Sequence, residues 1–139
     1  MVISGTKTTA EPDGHYFNDT DLGTGLWLGT IDDLWNFGKA TGTGGPWNNT
    51  LVKAGEMSDP YLMLGFDKKT LHLSHDSPET VTFELLADFV GDGVFRGFRL
   101  IQVNSGEGAS VEFEEGFSAN WIRLRADKEC RATAWFTYY

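Results

Sequence analysis

Apolar and polar residues alternate along five segments from about residue 60 onward, and this period of two constrains the fold more than any other feature of the chain. The alternating segments are 70–75, 81–89, 110–114, 121–126 and 130–139. Successive side chains of a β-strand point to opposite faces, so each segment has one apolar and one polar face. Turn-forming residues separate the segments, at 74–78, 91–93, 104–108 and 126–129. The pattern predicts an all-β protein, an antiparallel β-sandwich or jelly roll of about seven or eight strands.

The first 60 residues lack this alternation and are rich in glycine, and they contain Trp27, Trp35 and Trp47. Within residues 31–38, Leu34 and Phe37 are three positions apart and Gly38 follows them, a pattern that predicts one helical turn ending at Gly38. Residues 41–49 predict a glycine-rich loop, since glycine and proline favour irregular backbone. A length of 139 residues, at roughly 150 residues per domain, predicts a single domain over 1–139. Within it we expect a loop-rich and edge-rich third over 1–60 and regular strands over 61–139.

Composition narrows the class of protein. The formal net charge is -9, which disfavours binding to the phosphate backbone of nucleic acids. Apolar runs are shorter than the roughly 18 residues of a membrane span, so no membrane partner is expected. The first residues lack the apolar core of a signal peptide, which predicts no secretion signal in this chain. Cys130 is the sole cysteine, and its strand face predicts a buried, reduced thiol.

Residues that could support catalysis are present but scattered. Glu112 and Glu114 share one strand face, as paired carboxylates do in jelly-roll glycosidases, yet a solvated strand face explains them more simply. His72 and His75 lie on opposite faces of one strand, and His15 is distant in sequence. We therefore predict that the protein is not an enzyme.

The segment 18–25 contains a candidate metal site. Asp19 and Asp21 are two residues apart and precede Gly23, and carboxylate oxygens at this spacing are ligands that calcium accepts. The spacing fails the EF-hand pattern. Calcium at Asp19 and Asp21 is one hypothesis and a solvated hairpin tip is the other, with no other cofactor expected.

The tryptophans of the glycine-rich part suggest carbohydrate recognition. An aromatic ring beside polar hydrogen-bonding groups suits sugar rings, which have apolar faces and polar rims. We expect the loop 42–49 to shape a ligand pocket with Trp47 in its wall, together with Trp35, Asp59 and Tyr61. The alternative is that these tryptophans cover the core of a small sandwich.

A second candidate site depends on strand pairing. If 121–126 and 130–135 form a hairpin, Ala126 faces Cys130, and the outward side chains form one aromatic and basic patch. Its members are Trp121, Arg123, Arg125, Arg131 and Trp135. Arginines placed opposite each other need anionic partners. Those partners are either acidic residues of neighbouring strands, such as Glu84, Asp88 or Glu114, or an anionic glycan.

Several short sequence motifs support a family resemblance. They are Asp32-Asp33-Leu34-Trp35, Gly44-Gly45-Pro46-Trp47, Ser58-Asp59-Pro60-Tyr61-Leu62-Met63, Leu73-Ser74-His75-Asp76-Ser77, Asn120-Trp121-Ile122-Arg123 and Cys130-Arg131-Ala132-Thr133-Ala134. The stretch 29–139 resembles the C-terminal β-sandwich segment of bacterial, mostly exported proteins whose other part looks like a β-propeller or glycan-processing domain. The resemblance implies an accessory module of an exported protein and identifies no catalytic residue.

These observations lead to three functional hypotheses. The leading one is a non-catalytic carbohydrate-binding or accessory module with a glycan partner, in particular an acidic glycan. The second is a structural or oligomerisation module that docks on a neighbouring domain or on another copy of the chain. The third is a small sugar-processing enzyme.

Overall fold

The computed structural model describes residues 1–11 and 13–139, and within them the chain is all-β with antiparallel sheets. This confirms the fold class that the alternation predicts. The described residues contain eleven strands, more than the seven or eight expected. They divide into two compact units, an N-terminal unit of Met1–Lys39 and a C-terminal unit of Ala40–Tyr139. The assignment of 1–139 to a single domain stays a prediction. In the described part of the chain, no helix has the length and apolar character needed to cross a membrane.

The N-terminal unit is a three-stranded sheet with a short helix. Its strands are β1 (Val2–Ser4), β2 (Tyr16–Asp19) and β3 (Thr24–Leu28), in the order β1-β3-β2. Trp27 on the central strand is 2% exposed and packs against His15 and Phe37, at ring distances of 5.4 and 5.2 Å. The predicted helical turn is a 3-10 helix over Asp32–Phe37, and Gly38 ends it with a φ of 82°.

The C-terminal unit contains two four-stranded antiparallel sheets. Its strands are β4 (Gly42–Val52), β5 (Tyr61–Leu62), β6 (Lys69–His75), β7 (Val81–Asp88), β8 (Arg96–Val103), β9 (Gly108–Glu112), β10 (Trp121–Ala126) and β11 (Cys130–Tyr138). Sheet I has the order β5-β10-β7-β8, and sheet II has the order β4-β11-β6-β9.

Both sheets contribute to one hydrophobic core. Phe83 and Leu124 from sheet I and Leu71 and Phe136 from sheet II belong to the same buried cluster, and none of them is measurably exposed. Each of these residues lies on the face that the alternation marks as apolar. Cys130 is also buried at 5% exposure, as predicted, and burial raises the pKa of its thiol. The thiol therefore stays protonated at neutral pH.

The glycine-rich stretch 41–49 is not a loop, so this prediction is wrong. It forms most of the long strand β4, which pairs with β11. A Cβ atom on Gly45 would overlap the carbonyl oxygen of Ala134, and one on Gly44 would overlap the hydroxyl of Tyr61. These glycines therefore permit close packing, and flexibility is not what they provide.

The predicted hairpin between 121–126 and 130–135 is also wrong. Strand β10 lies in sheet I and β11 lies in sheet II, so residues 127–129 cross from one sheet to the other. Ala126 pairs with Phe83, and Cys130 pairs with Val52. The crossing is fixed by side chains, since Asp127 accepts the backbone N–H of Thr82 at 2.8 Å.

Candidate functional site

The nine side chains predicted to bind ligand are spread over both units and both sheets. Trp35 belongs to the N-terminal unit, and Asp59 precedes β5. The other seven lie on strands of the C-terminal unit. Sheet I carries Tyr61, Trp121, Arg123 and Arg125, and sheet II carries Trp47, Arg131 and Trp135.

Trp47 does not line an open pocket. It is 6% exposed, belongs to the hydrophobic core and lies 6.4 Å from the ring of Phe83. An inward position on β4 explains its burial, and the interpretation of Trp47 as a pocket wall is wrong. Tyr61 is partly buried and stacks on Phe136 with ring centres 5.4 Å apart. Asp59 is exposed, and ligand binding by Asp59 and Tyr61 stays a prediction.

Trp35 is the most exposed tryptophan among those described, at 83%. It lies on the 3-10 helix, whose six residues include none that is buried. Its ring is therefore presented to solvent, as one of the two sequence interpretations expects.

The basic patch does not form, because its members lie on two sheets. Arg125 instead forms an ion pair with Glu84 of the neighbouring strand, with Nε 2.5 Å from the carboxylate. This is the acidic strand partner that sequence offered as the alternative to a ligand. Arg131 lies on sheet II, where its guanidinium donates to the carbonyl of Asn49 at 3.2 Å. Trp135 lies opposite His72 on the same sheet.

Two of the predicted residues, Trp121 and Arg123, do share a cavity. The alternation of β10 directs both side chains away from the core, beside the segment that joins β7 to β8. The cavity has a volume of about 440 Å³, and we call it the Arg123 cleft. It is lined by Pro60, Asp88, Gly91, Gly93, Phe95, Trp121 and Arg123. Trp121 is 39% exposed, so part of its ring is open to solvent.

Arg123 is the unusual group in this cleft. Its guanidinium carbon lies over the ring of Phe95, 4.9 Å from the ring centre, which is a cation–π contact. Its Nε atom is buried and has no hydrogen-bond partner among the described residues. The neighbour of Arg123 on β7 is Leu86, which has no acceptor side chain. A buried donor without an acceptor is costly. Nε itself is closed to a ligand, but the Arg123 side chain is only partly buried and lines the cleft, so its terminal N–H groups can donate to an acceptor that a ligand brings.

Asp88 lies in the same cleft, but its carboxylate already accepts hydrogen bonds from the backbone. It is 1% exposed, and its carboxylate accepts the backbone N–H groups of Gly91 and Gly93 at 2.7 and 2.9 Å, and of Val90 at 3.2 Å. Burial raises the pKa of this carboxyl, but the backbone N–H groups outweigh burial, and the pKa lies below its ordinary value. Asp88 therefore holds the segment that carries Phe95 and leaves Arg123 unpaired.

Sequence reasoning missed Phe95, Gly91 and Gly93 as parts of this cleft. A signal was present, because Asp88 lies near the end of the alternating segment 81–89 and a Gly-Asp-Gly turn follows that segment. Gly91 and Gly93 have φ values of 78° and 81°, which a residue with a side chain rarely adopts. Substitution of either glycine would strain the turn that Asp88 holds.

The calcium hypothesis has limited geometric support. The Asp19 carboxylate accepts the backbone N–H groups of Asp21 and Leu22, each at 3.0 Å, and so closes the turn between β2 and β3. Within residues 1–11 and 13–139, no group of three or more histidine, cysteine, aspartate or glutamate side chains could hold a metal ion. Calcium binding by Asp19 and Asp21 stays a prediction.

Comparison of the chain with protein-family models, curated protein sequences and solved structures gives no significant match. The resemblance to segments of exported β-propeller proteins is therefore untested and stays a prediction. The Arg123 cleft is therefore the feature from which a binding function is inferred.

Proposed function

We propose that the C-terminal unit is a β-sandwich module that binds carbohydrate without catalysis, and that the ligand occupies the Arg123 cleft. Two four-stranded sheets with a common core support the sandwich architecture. The observation that carries the function is the partly buried Arg123 side chain, which has no ion-pair partner among the described residues, beside the partly exposed ring of Trp121 in one cavity.

The chemistry of the cleft fits a sugar ring. Trp121 offers an aromatic surface for the apolar face of a pyranose, and Arg123 offers hydrogen-bond donors for its oxygen atoms. The volume of about 440 Å³ falls within the range of roughly 300–1,000 Å³ typical of small-molecule sites. The turn held by Asp88 keeps Phe95 in place over Arg123, so the site is formed before ligand arrives.

Calorimetric titration of the intact chain against a panel of neutral and acidic oligosaccharides tests this function. Trp121→Ala should weaken binding of a glycan by roughly fivefold to thirtyfold, since aromatic contacts contribute on the order of 1–2 kcal/mol. Trp35→Ala is the matched control, because Trp35 is exposed and is not among the residues that line the cleft. Binding that is lost in Trp35→Ala and retained in Trp121→Ala would place the site elsewhere.

A second candidate function is docking or self-association through β8. This strand lies at the edge of sheet I, and its first five residues are all exposed, with Leu100 at 68%. An edge strand presents unpaired backbone groups that can pair with another strand. Light scattering tests the homomeric form: a dimer that Leu100→Glu converts to monomer would support it, and a monomer at high concentration would contradict it.

A further inference from the structure

We infer that the ligand of the Arg123 cleft carries a carboxylate, as in a uronic acid residue. Arg123 binds this group by hydrogen bonds in the plane of its guanidinium. This inference rests on the proposed function and adds the chemical class of the ligand.

The absence of an ion-pair partner for Arg123 among the described residues supports an anion. Among the described residues that line it, Arg123 is the one cationic side chain and Asp88 the one anionic side chain. The Asp88 carboxylate is taken up by backbone N–H groups on both of its oxygens. It is therefore not an acceptor for Arg123, and the positive charge has no protein carboxylate within ion-pair distance in the described residues. The formal charges of the two side chains cancel, so an anionic ligand is favoured as an ion-pair partner for Arg123 and not by a net positive charge of the cleft.

The hydrogen-bonding geometry supports a carboxylate in particular. All five N–H bonds of a guanidinium lie in its plane, and a carboxylate offers two coplanar oxygens that match two of them. The ring of Phe95 lies against the guanidinium but is at most a weak acceptor, so it leaves the N–H donors available. A neutral hydroxyl accepts with a single oxygen, so it would satisfy fewer of the guanidinium N–H donors than a carboxylate.

An acid and its ester should differ in affinity by a measurable amount. The Nε atom is shielded from solvent, so a ligand meets the remaining N–H donors of the partly buried Arg123 side chain, and a hydrogen bond to a charged group contributes about 1.5–3 kcal/mol. That range corresponds to roughly tenfold to more than a hundredfold in the dissociation constant.

The test is calorimetric titration of the intact chain with oligomers of galacturonate, glucuronate-containing hyaluronan and mannuronate, each beside its methyl-esterified form. Esterification removes the charge and one hydrogen-bonding oxygen while leaving the ring and its hydroxyls. At least one acid should bind about tenfold or more tightly than its ester. Neutral and sulfated oligosaccharides complete the panel.

Variants identify the residue responsible. Arg123→Lys should weaken the preference for acid over ester, because an ammonium keeps the charge but lacks the planar pair of donors. Arg125→Lys is the matched control, since Arg125 lies on the same strand but outside the cleft and pairs with Glu84. Its preference for the acid should be unchanged. Melting temperatures of both variants show whether the fold is retained.

The outcomes separate this inference from the proposed function. Three outcomes would overturn the carboxylate assignment and leave glycan binding standing. They are equal affinity for acids and esters, a preference in Arg123→Lys as strong as in the unsubstituted chain, and tighter binding of a sulfated or neutral glycan than of every uronate. Binding to no member of the panel would overturn both.

Discussion

The N-terminal and C-terminal units differ in the number of residues that each one buries. In the described part of Met1–Lys39, the buried residues are Gly25 and Trp27. In Ala40–Tyr139, two sheets share one continuous core. A sheet of three short strands has a single buried ring at its centre, whereas the paired sheets distribute burial over many strands. The order of the first unit should therefore depend on one side chain, and the order of the second on many.

The largest expected effect is in the shared core. Trp47→Ala should lower the free energy of unfolding of the C-terminal unit by about 3–5 kcal/mol, because truncation of a buried tryptophan loses apolar contact and leaves a cavity. Denaturant unfolding followed by circular dichroism measures the loss. The control Trp35→Ala, at a ring 83% exposed, should change stability by less than about 0.5 kcal/mol. A small loss in Trp47→Ala would mean that this ring is not a core residue.

The second prediction concerns the single buried ring of the N-terminal unit. Trp27→Ala should cost about 3 kcal/mol locally, a large loss for a three-stranded sheet in which Trp27 is the buried ring. Amide hydrogen exchange should show loss of protection at β1, β2 and β3, with protection in β7 and β11 unchanged. Loss of protection in β7 and β11 as well would show that the two units are not separate in stability.

The third prediction tests a buried charge in the C-terminal unit. Lys69 is 5% exposed, and its ammonium donates to the carbonyl oxygens of Phe66 and Phe117 at 2.7 and 3.1 Å. Lys69→Met should cost about 2 kcal/mol, because both carbonyls lose their donor. Lys68→Met, at an exposed neighbouring position, is the control and should cost less than about 0.5 kcal/mol. Equal costs for the two would show that the ammonium contributes nothing specific.

The fourth prediction concerns the outward face of sheet I. Arg125→Ala should cost only about 0.2–1 kcal/mol, because its ion pair with Glu84 is partly open to solvent, with side-chain exposures of 42% and 24%. Thermal unfolding at low and high salt measures both the cost and its screening. A loss of several kcal/mol would show that the outer face, and not the core alone, stabilises this unit.

The smallest effect compares one carboxylate from each unit, and it is seen as a loss of stability only at acidic pH. The backbone N–H and the hydroxyl of Thr30 lower the pKa of Asp33, and backbone N–H groups lower that of Asp88 against the opposing effect of burial. Both groups therefore stabilise the folded chain above the ordinary aspartate value of about 3.9, and this contribution is lost as the pH falls through their lowered pKa values. Carboxyl carbon chemical shifts followed by NMR during acid titration should show both midpoints below 3.9. A midpoint above that value for either group would contradict the prediction for it.

The alternation of apolar residues predicts strand faces well and strand partners poorly. It correctly places Phe83, Leu124 and Phe136 in the core. It contains no information on which strand lies beside β10, because any half-buried strand offers a similar apolar face. The short segment 127–129 favours a hairpin on statistical grounds, yet it connects two sheets.

Glycine has two structural roles in this chain, and the sequence alone does not distinguish them. Gly91 and Gly93 allow a turn with positive φ, as turn rules predict. Gly44 and Gly45 lie in a strand where another chain segment passes too close for a side chain. The second role depends on tertiary contacts, so the loop expected over 41–49 could not be corrected without them. The cleft could not be predicted from the sequence for the same reason, because Arg123 and Phe95 come together only when β10 pairs with β7.

The order of strands in the two sheets has a consequence for synthesis. In the C-terminal unit, β7 and β8 are the one pair of sheet neighbours that are consecutive in the described chain, and β11 lies between β4 and β6 at the centre of sheet II. On the ribosome, β4 and β6 emerge long before the strand that joins them. Their apolar faces remain uncovered during this interval, when chaperone binding or aggregation competes with folding.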